Sequence, residues 1–388
     1  MTWTRRGLIV GRGLIARGRL AAGATVVAAA LLLTSCGGSG GGNGGSGAEG
    51  PSGAKNGDTA PQSGKDAPSA RPVPRGDGSR LPDDFNGDGH RDLVLNDLVK
   101  PADDSLGDDA GIGVVYGTAA PRTLDPAVRQ TLGPRANGAR VDGSLPAAFD
   151  AEAACDLDHD GFGDLVITTD PPYDGQGAPP VPLQLLFGGP EGLSGKAVVL
   201  KIPAKARFGN EWPDHPVCGD FDGDGKEDLA VTASRGQVSY LRGPFTRSGA
   251  PRGAAAPVPG GGPVLEAPAP AADVNDDGYD DLVHATRATA TGAAGRGELL
   301  LGGPEGPDRP GGAYRFKAVR LPAAPALPQG KGAPVTQLLR AADFDGDKKQ
   351  DLVTRTHRGE TTDLIAVYVS GAGTDHPVLT FSTKIFSP

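Results

Sequence analysis

Five stretches of this sequence place oxygen-bearing side chains at a spacing that could bind a metal ion. Each follows the pattern Asp-x-Asp/Asn-x-Asp-Gly-x-x-Asp-Leu, except that the fifth has Lys348 at the glycine position. We number loop positions from the first aspartate, so that positions 1, 3, 5 and 9 carry the oxygen atoms. In chain order these residues are Asp84, Asn86, Asp88 and Asp92 (loop 1); Asp156, Asp158, Asp160 and Asp164 (loop 2); Asp220, Asp222, Asp224 and Asp228 (loop 3); Asp273, Asn275, Asp277 and Asp281 (loop 4); and Asp343, Asp345, Asp347 and Asp351 (loop 5).

The residue types at these positions predict calcium. Oxygens at positions 1, 3, 5 and 9, with the carbonyl oxygen of position 7, form a cage of the size that calcium prefers, and glycine at position 6 permits the sharp turn. Magnesium requires a stricter octahedron and retains its waters, so it fits such a loop less well. The loop differs from an EF-hand, because the bidentate glutamate at position 12 is replaced by Leu95, Ile167, Val231, His284 and Thr354. We therefore expect about four to five calcium ions.

The alternative interpretation is that these segments are solvated hairpin turns without a ligand. One Asp-Gly-rich loop would leave that alternative open, but five copies with acids at the same offsets argue against it. Lys348 places a Cβ and a positive charge where loops 1 to 4 have glycine, which costs some backbone strain. We expect loop 5 to be the weakest metal site or to stay empty.

The charge balance favours cation binding. The chain has a formal net charge of −9, and 18 of its 47 acidic residues belong to the five loops. Removal of an N-terminal segment with five arginines would leave −14, which five divalent ions would bring to about −4. Without an ion, each loop holds three or four mutually repelling carboxylates. Calcium should therefore bind the folded state preferentially and stabilise it.

The elements that must position these loops are short strands. An apolar run follows each loop at once, a later run ends in glycine in most copies, and the loops begin 72, 64, 53 and 70 residues apart. Short β-branched runs between Gly and Pro turn signals indicate an all-β fold with up to four strands per repeat. The runs after the loops are 93–95, 165–167, 229–231, 282–283 and 352–353, and the later runs are 114–117, 185–188, 238–243, 299–302 and 366–371.

With these residues in view, the chain resembles the FG-GAP/VCBS repeat family, the bacterial relatives of the integrin α-subunit propeller. The Phe187-Gly188 and Leu301-Gly302 pairs stand where that family ends a later strand of each blade. The resemblance implies a β-propeller over residues 81–388, with about five recognisable four-stranded blades. The ring could close with five blades or with one more, degenerate blade. The stretch before Asp84 is too Pro-rich to supply a full inner strand, so the sequence leaves both alternatives open.

The N-terminal residues indicate export. Residues 1–35 combine five arginines with the apolar run Ala21 to Leu33, the size of a signal-peptide core, and end in Leu33-Thr34-Ser35-Cys36. This resembles a lipobox and predicts lipidation of Cys36 and anchoring on the outer face of the membrane. An ordinary secretory signal is the alternative, and the export route is open between the general and twin-arginine pathways. Residues 36–80 are Gly/Ser- and Pro-rich, which predicts a disordered tether.

Two further cysteines, Cys155 and Cys218, come just before loops 2 and 3. In an exported protein they could form a disulfide between adjacent blades, or they could be two small buried residues.

Other chemistry finds little support in the sequence. There is no His-Glu-x-x-His zinc signature, no Gly-x-Ser-x-Gly nucleophile turn, and no basic stripe that would favour nucleic acid. We expect a monomeric binding module for a protein or glycan, contacting the membrane only through its lipid, and not an enzyme. A hydrolase or lyase using the propeller channel and a purely structural, calcium-rigidified spacer are the rival hypotheses.

Overall fold

The protein forms five antiparallel sheets arranged as a β-propeller. The computed structural model describes residues 69–98, 110–119, 123–207, 213–232, 237–256, 264–266, 273–287, 296–316, 319–323, 325, 327, 332–359, 363–370 and 376–387. The fold class predicted from the sequence is confirmed, and each loop leads directly into a strand. The predicted signal peptide and lipidation site at Cys36 lie outside the described residues.

Each sheet is one blade, and the strands of a blade follow one another in chain order. Blade 1 consists of β1 (Leu93–Leu95), β2 (Ile112–Gly117) and β3 (Leu124–Leu132); blade 2 of β4 (Phe149–Cys155), β5 (Asp164–Thr169), β6 (Leu183–Leu186) and β7 (Val198–Val199); blade 3 of β8 (Asp214–Gly219), β9 (Asp228–Thr232), β10 (Val238–Arg242) and β11 (Gly253–Ala254); blade 4 of β12 (Val264–Glu266), β13 (Leu282–Arg287), β14 (Arg296–Leu301) and β15 (Arg309–Arg315); and blade 5 of β16 (Val335–Ala342), β17 (Asp351–His357), β18 (Asp363–Tyr368) and β19 (Leu379–Phe381). Helix is confined to α1 (Ala204–Arg207) and a 3-10 turn (Thr383–Phe386) in the described part of the chain.

The first strand of blades 2 to 4 is the inner strand, because β4 contacts β8 and β8 contacts β12 across the blade boundaries. β4, β8 and β16 run directly into loops 2, 3 and 5, and each of these loops runs into the second strand of its blade. In blade 1 the described residues before the loop form turns, so this sheet has three strands. The proline-rich composition before Asp84 predicted this missing inner strand.

Apolar clusters between neighbouring blades hold the ring together. Position 2 of the loop contributes a buried side chain at four boundaries: Phe85 packs with blade 2, Leu157 with blade 3, Phe221 with blade 4 and Phe344 with blade 1. The corresponding residue of loop 4, Val274, is 40% exposed. Burial of these side chains fixes each loop to the adjacent blade, since removing each from water contributes roughly 1.5–3 kcal/mol.

Blades 5 and 1 are joined through side chains. Arg355 on β17 donates to the carbonyl oxygens of Asn96 (3.2 Å) and Asp97 (2.9 Å) and also pairs with the buried Asp363 at 3.2 Å. On its other side, the amide of Asn96 exchanges two hydrogen bonds of 2.9 Å with the backbone of Ala151 on β4. Asn96 thus pairs with blade 2 where an inner strand of blade 1 would run.

Residues 69–80, assigned above to the tether, lie against blades 1 and 2. Arg71 forms a parallel bridge with Val128, and Gly76, Gly78 and Ser79 donate backbone hydrogen bonds of 2.7–3.0 Å to the carbonyl oxygens of residues 86, 87 and 161. The extended segment therefore covers loop 1 and reaches loop 2. Proline-rich sequence permits this because an extended strap needs few backbone donors.

Cys155 and Cys218 form a disulfide that joins the ends of β4 and β8, with their Cα atoms 6.3 Å apart. Adjacent inner strands thus come close enough for the bond, whose Cα separation is usually 4.4–6.8 Å. Among the described residues, no helix has the length and hydrophobicity required to cross a bilayer.

Candidate metal centre

All five loops adopt the same backbone conformation. Position 6 has a left-handed conformation in every loop, including Lys348 at φ 65°, so the lysine takes the strained conformation that its position requires. Position 4 is also left-handed in every loop, and Gly87, His159, Gly223, Asp276 and Gly346 occupy it. The sequence interpretation missed position 4, because three residue types occur there and only glycine signals this conformation.

The carboxylates at positions 1 and 5 stabilise the turn. The position-1 aspartate accepts the N–H of position 6 at 2.8–2.9 Å in all five loops. The position-5 aspartate accepts the N–H of position 7 at 2.8–3.2 Å, again in all five. These bonds fix the orientation of both carboxylates relative to the loop backbone.

The position-9 aspartate has a second, structural task. It is at most 2% exposed in every loop. One oxygen accepts a backbone N–H at the end of the strand that pairs with the one following the loop, at 2.8–3.0 Å. The other oxygen accepts the N–H of position 2 in loops 1, 2, 4 and 5, whereas in loop 3 it accepts the hydroxyl of Tyr240 at 2.7 Å. Each blade is therefore tied together through this carboxylate.

Three loops bring oxygen ligands within 4.8 Å of one another: Asp156, Asp158 and Asp164; Asp220, Asp222 and Asp228; and Asp343, Asp345 and Asp347. These groups could hold a metal ion. Loops 1 and 4 have an amide at position 3, and the Nδ2 atoms of Asn86 and Asn275 each donate to the position-5 carboxylate at 3.0 Å. Loop 5 belongs to the set, and the expectation that it binds most weakly stays a prediction.

The oxygen atoms that lack a partner fit a cation. Asn86 Oδ1, Asp158 Oδ1, Asp220 Oδ1 and Asp222 Oδ1 are inaccessible to solvent and accept no hydrogen bond. A buried acceptor without a partner costs about 1–3 kcal/mol, and a calcium ion is a hard cation that binds such oxygens. The donor set of positions 1, 3, 5 and 9 therefore fits calcium.

Burial and the repulsion between like charges disfavour the ionised form of the loop carboxylates. Desolvation, together with the like charges of neighbouring carboxylates, raises the pKa of Asp164 to about 8, of Asp228 to about 7 and of Asp158 to about 6. Desolvation also raises the pKa of Asp92 and Asp351. A divalent ion would favour the ionised forms because it supplies the missing positive charge.

Basic side chains face four of the five loops. Arg247 pairs with Asp158 and Asp160 of loop 2, Arg252 with Asp224 of loop 3 at 2.7 Å, Arg309 with Asp277 of loop 4 at 3.4 Å, and Lys349 with Asp347 of loop 5 at 2.7 Å. In loop 1 no basic side chain of the described residues pairs with Asp88. Sequence reasoning missed the three arginines, because each lies more than 25 residues from its partner.

Neighbouring loops also contact each other through the backbone. The N–H of Gly163, at position 8 of loop 2, donates to the carbonyl of Asp84 at 2.8 Å, and that of Asp280, at position 8 of loop 4, donates to the carbonyl of Asp220 at 3.0 Å. In the opposite direction, the N–H of Asp220 donates to the Asp280 carboxylate at 2.8 Å. Loops 1 and 2, and loops 3 and 4, are therefore structurally linked pairs.

Comparisons with known proteins bear on the repeat and the fold. Residues 209–284, which include loops 3 and 4, match the model of the FG-GAP-like repeat, so the resemblance noted from the sequence is confirmed. None of the curated proteins matches the chain.

Two solved structures are distantly similar. The V. cholerae biofilm matrix protein Bap1 is 15% identical, with a TM-score of 0.24 over 77% of this chain and 41% of that chain. The Bacillus licheniformis rhamnogalacturonan lyase PL11 is 11% identical, with a TM-score of 0.18 over 80% of this chain and 54% of that chain. The chain spans about half or less of these proteins, and likenesses this remote carry no argument about function.

Proposed function

We propose that this chain, whose residues 209–284 are an FG-GAP-like repeat in a five-bladed propeller, is a calcium-stabilised binding protein on the outer face of the cell membrane. The observation that carries the proposal is the set of five loops with the same left-handed positions, three of which bring carboxylate oxygens within 4.8 Å of one another. Lipidation of Cys36 and the Gly/Ser-rich stretch after it would supply the anchor and the tether.

Calcium would act first on stability. Each loop leads into a strand of its own blade, and in four loops position 2 packs against a neighbouring blade. An ion bound at positions 1, 3, 5 and 9 would therefore connect three elements at once. A site at a free calcium concentration a hundredfold above its Kd stabilises the folded state by about 2.7 kcal/mol.

Binding of a protein or glycan is the second part of the proposal. The connections between strands differ in length and composition from blade to blade, so they can form a surface specific to one partner while the strands stay alike. A propeller does not by itself fix a function. The calcium-rigidified surface is proposed to carry the specificity.

The test is a calcium titration of the exported domain. Isothermal titration calorimetry should give about four to five calcium ions per chain. Chelation with EGTA should lower the Tm by about 10 °C or more, since four sites would each contribute a few kcal/mol. An unchanged Tm in EGTA would contradict the calcium assignment.

Two double variants compare how much loops 2 and 5 contribute to calcium-dependent stability. Asp158→Ala with Asp160→Ala should cost more of the calcium-dependent stability than Asp345→Ala with Asp347→Ala, because Lys348 and Lys349 add positive charge beside loop 5. Equal losses for both pairs would show that loop 5 binds as well as loop 2.

A further inference from the structure

Two arginines of blade 3 converge on loop 3 beside a depression in the surface. Arg252 Nη2 lies 2.7 Å from Asp224 Oδ2 and 3.5 Å from Asp222 Oδ2, and Arg242 Nε lies 3.6 Å from Asp222 Oδ2. The depression has a volume of about 440 Å³, and these four residues line it together with Gly253 and Pro304. Both guanidinium groups therefore face one open space.

The two oxygens of Asp222 have different surroundings. Its side chain is 6% exposed, and Oδ2 faces the two arginines. Oδ1 has no hydrogen-bond partner and no contact with solvent, and neither does Oδ1 of Asp220. Asp222 can therefore bind a cation inside the loop and still face a guanidinium on the outside.

Arg242 is held in place independently of the loop. It donates to the carbonyl oxygen of Pro304 at 3.2 Å, pairs with Glu305 at 3.3 Å and lies 5.5 Å from the centre of the Tyr240 ring. Arg252 is 46% exposed and has the loop acids as its charge partners. If those acids were neutralised, Arg252 would be free to bind another anion.

We propose that this depression binds a carboxylate group of an acidic saccharide when loop 3 holds calcium. The inference rests on the proposed function, since it requires calcium at loop 3. The four carboxylates of loop 3 (Asp220, Asp222, Asp224 and Asp228) and the two arginines, Arg242 and Arg252, sum to −2, and one calcium ion would bring this sum to zero. Calcium would thereby reduce the repulsion of an incoming anion.

The chemistry of the site selects a carboxylate. Guanidinium groups bind carboxylates through two parallel N–H···O bonds, and calcium can accept a further oxygen ligand beside them. The anion would exchange places with the loop carboxylates as the partner of Arg252. Calcium and the saccharide should therefore strengthen each other's binding, because coupling between two sites is reciprocal.

The lining favours a saccharide over a peptide. A volume of about 440 Å³ exceeds what one carboxylate side chain needs and falls within the range of small-molecule sites. Protein partners are anchored mostly by Trp, Tyr and Arg side chains in well-packed pockets that exclude water. Here the lining is four charged side chains, a glycine and a proline, which suits a hydroxyl-rich acid.

The experiment measures binding of a glucuronate tetramer to the full exported domain by calorimetry. Calcium should permit binding and EGTA should abolish it, and the carboxyl-reduced tetramer should not bind in either. Arg252→Gln and Arg242→Gln should each weaken binding at least tenfold. The matched control is Arg247→Gln, since Arg247 pairs with loop 2 and does not line the depression. It should stay within twofold of the unchanged protein.

The outcomes separate this inference from the proposed function. Calcium titration of Arg252→Gln should give the same number of ions with equal or tighter affinity, because a competing cation has been removed. Calcium binding without tetramer binding overturns the inference alone. Tetramer binding in EGTA, or an unaffected Arg252→Gln, also overturns it, as does stronger binding of a hexa-aspartate peptide. Absence of any calcium binding overturns both.

Discussion

The carboxylate of Asp164 accepts the backbone N–H of Gly188 at 3.0 Å, although 24 residues separate them in the chain. Gly188 follows the third strand of blade 2, and Asp164 begins the second. The other Asp164 oxygen accepts the N–H of Leu157 within loop 2 at 2.9 Å. One buried carboxylate thus connects the acidic loop with the end of a strand, and the same arrangement recurs in loops 1, 4 and 5.

The double role of Asp164 predicts that its removal destabilises the metal-free protein. Asp164→Ala leaves two buried N–H groups without an acceptor, which should lower the free energy of unfolding by about 3 kcal/mol in EGTA. The measurement is urea unfolding followed by tryptophan fluorescence or circular dichroism. Asp160→Ala is the matched control, because Asp160 is exposed and should cost less than about 1 kcal/mol. If Asp164→Ala lost stability only in the presence of calcium, the structural role would be refuted.

The disulfide between blades 2 and 3 should contribute strongly to stability. Its cysteines are 63 residues apart, and closing a loop of that length removes about 4 kcal/mol of unfolded-state entropy. The double variant Cys155→Ala with Cys218→Ala should show this loss in urea unfolding. Reduction of the unchanged protein with dithiothreitol provides the control and should give a similar loss. Free thiols in the folded, oxidised protein would exclude the bond.

The inner strand of blade 2 carries a carboxylate that should make stability depend on pH. Desolvation, with the like charges of Asp214 and Asp150, raises the pKa of Glu152 to about 7. The folded state therefore holds this proton more tightly than the unfolded state. The stability it contributes is complete below about pH 4 and is lost as the pH rises to about 7.

Glu152→Gln removes this dependence. The variant should match the unchanged protein near pH 4.5 and exceed it at pH 8 by up to about 1 kcal/mol, since Glu152 reaches solvent and its charge is partly screened. Thermal unfolding at both pH values, with the same calcium concentration, measures the difference. A variant that is less stable at pH 8 would contradict the assignment.

Loop 5 provides a test of backbone strain. Lys348 adopts φ 65° where the other loops have glycine, and a left-handed conformation costs an ordinary residue about 1–2 kcal/mol. Lys348→Gly should therefore raise the free energy of unfolding in EGTA by up to about 1 kcal/mol, because the flexibility of glycine offsets part of the gain.

The reverse substitution in loop 3 is the control for this prediction. Gly225 has φ 79°, and a Cβ added there would meet no atom within 4 Å, so Gly225→Lys introduces only the backbone strain. It should lower stability by about 1 kcal/mol. Changes of the same sign in both variants would rule out strain as the cause.

The anchor is tested in cells by fractionation. Cys36→Ser should release the exported protein from the membrane fraction into the soluble fraction, since the thiol that would carry the lipid is gone. The Cys155→Ala and Cys218→Ala variant should stay with the membrane and controls for the loss of any cysteine. Retention of Cys36→Ser on membranes would contradict the anchoring proposal.

Local spacing made much of this fold predictable. The offsets of Asp156, Asp158, Asp160 and Asp164 recur in every repeat, and the apolar run after each loop located the strand that follows the loop in all five blades. The proline-rich stretch before Asp84 predicted the missing inner strand of blade 1. These features depend on residues that are close together in the chain.

Contacts between distant residues were not predictable in the same way. The acceptor role of the position-9 aspartates depends on an N–H that lies 15 to 25 residues away at a spacing that varies between blades. Arg355 reaches Asn96 across 259 residues, and no local pattern distinguishes it from any other strand arginine. The sequence motif therefore locates the loops, and only the three-dimensional packing identifies what surrounds them.

The strap of residues 71–79 gives the propeller a mechanical property. A pull on the chain from its N-terminal side must break the backbone hydrogen bonds of Arg71, Gly76, Gly78 and Ser79 before the force reaches β1. Release would free a segment of nine residues with a fully extended length of roughly 30 Å, at about 3.3–3.6 Å per residue. For a domain held at its N-terminal end, the strap would detach under load while the five blades remain folded.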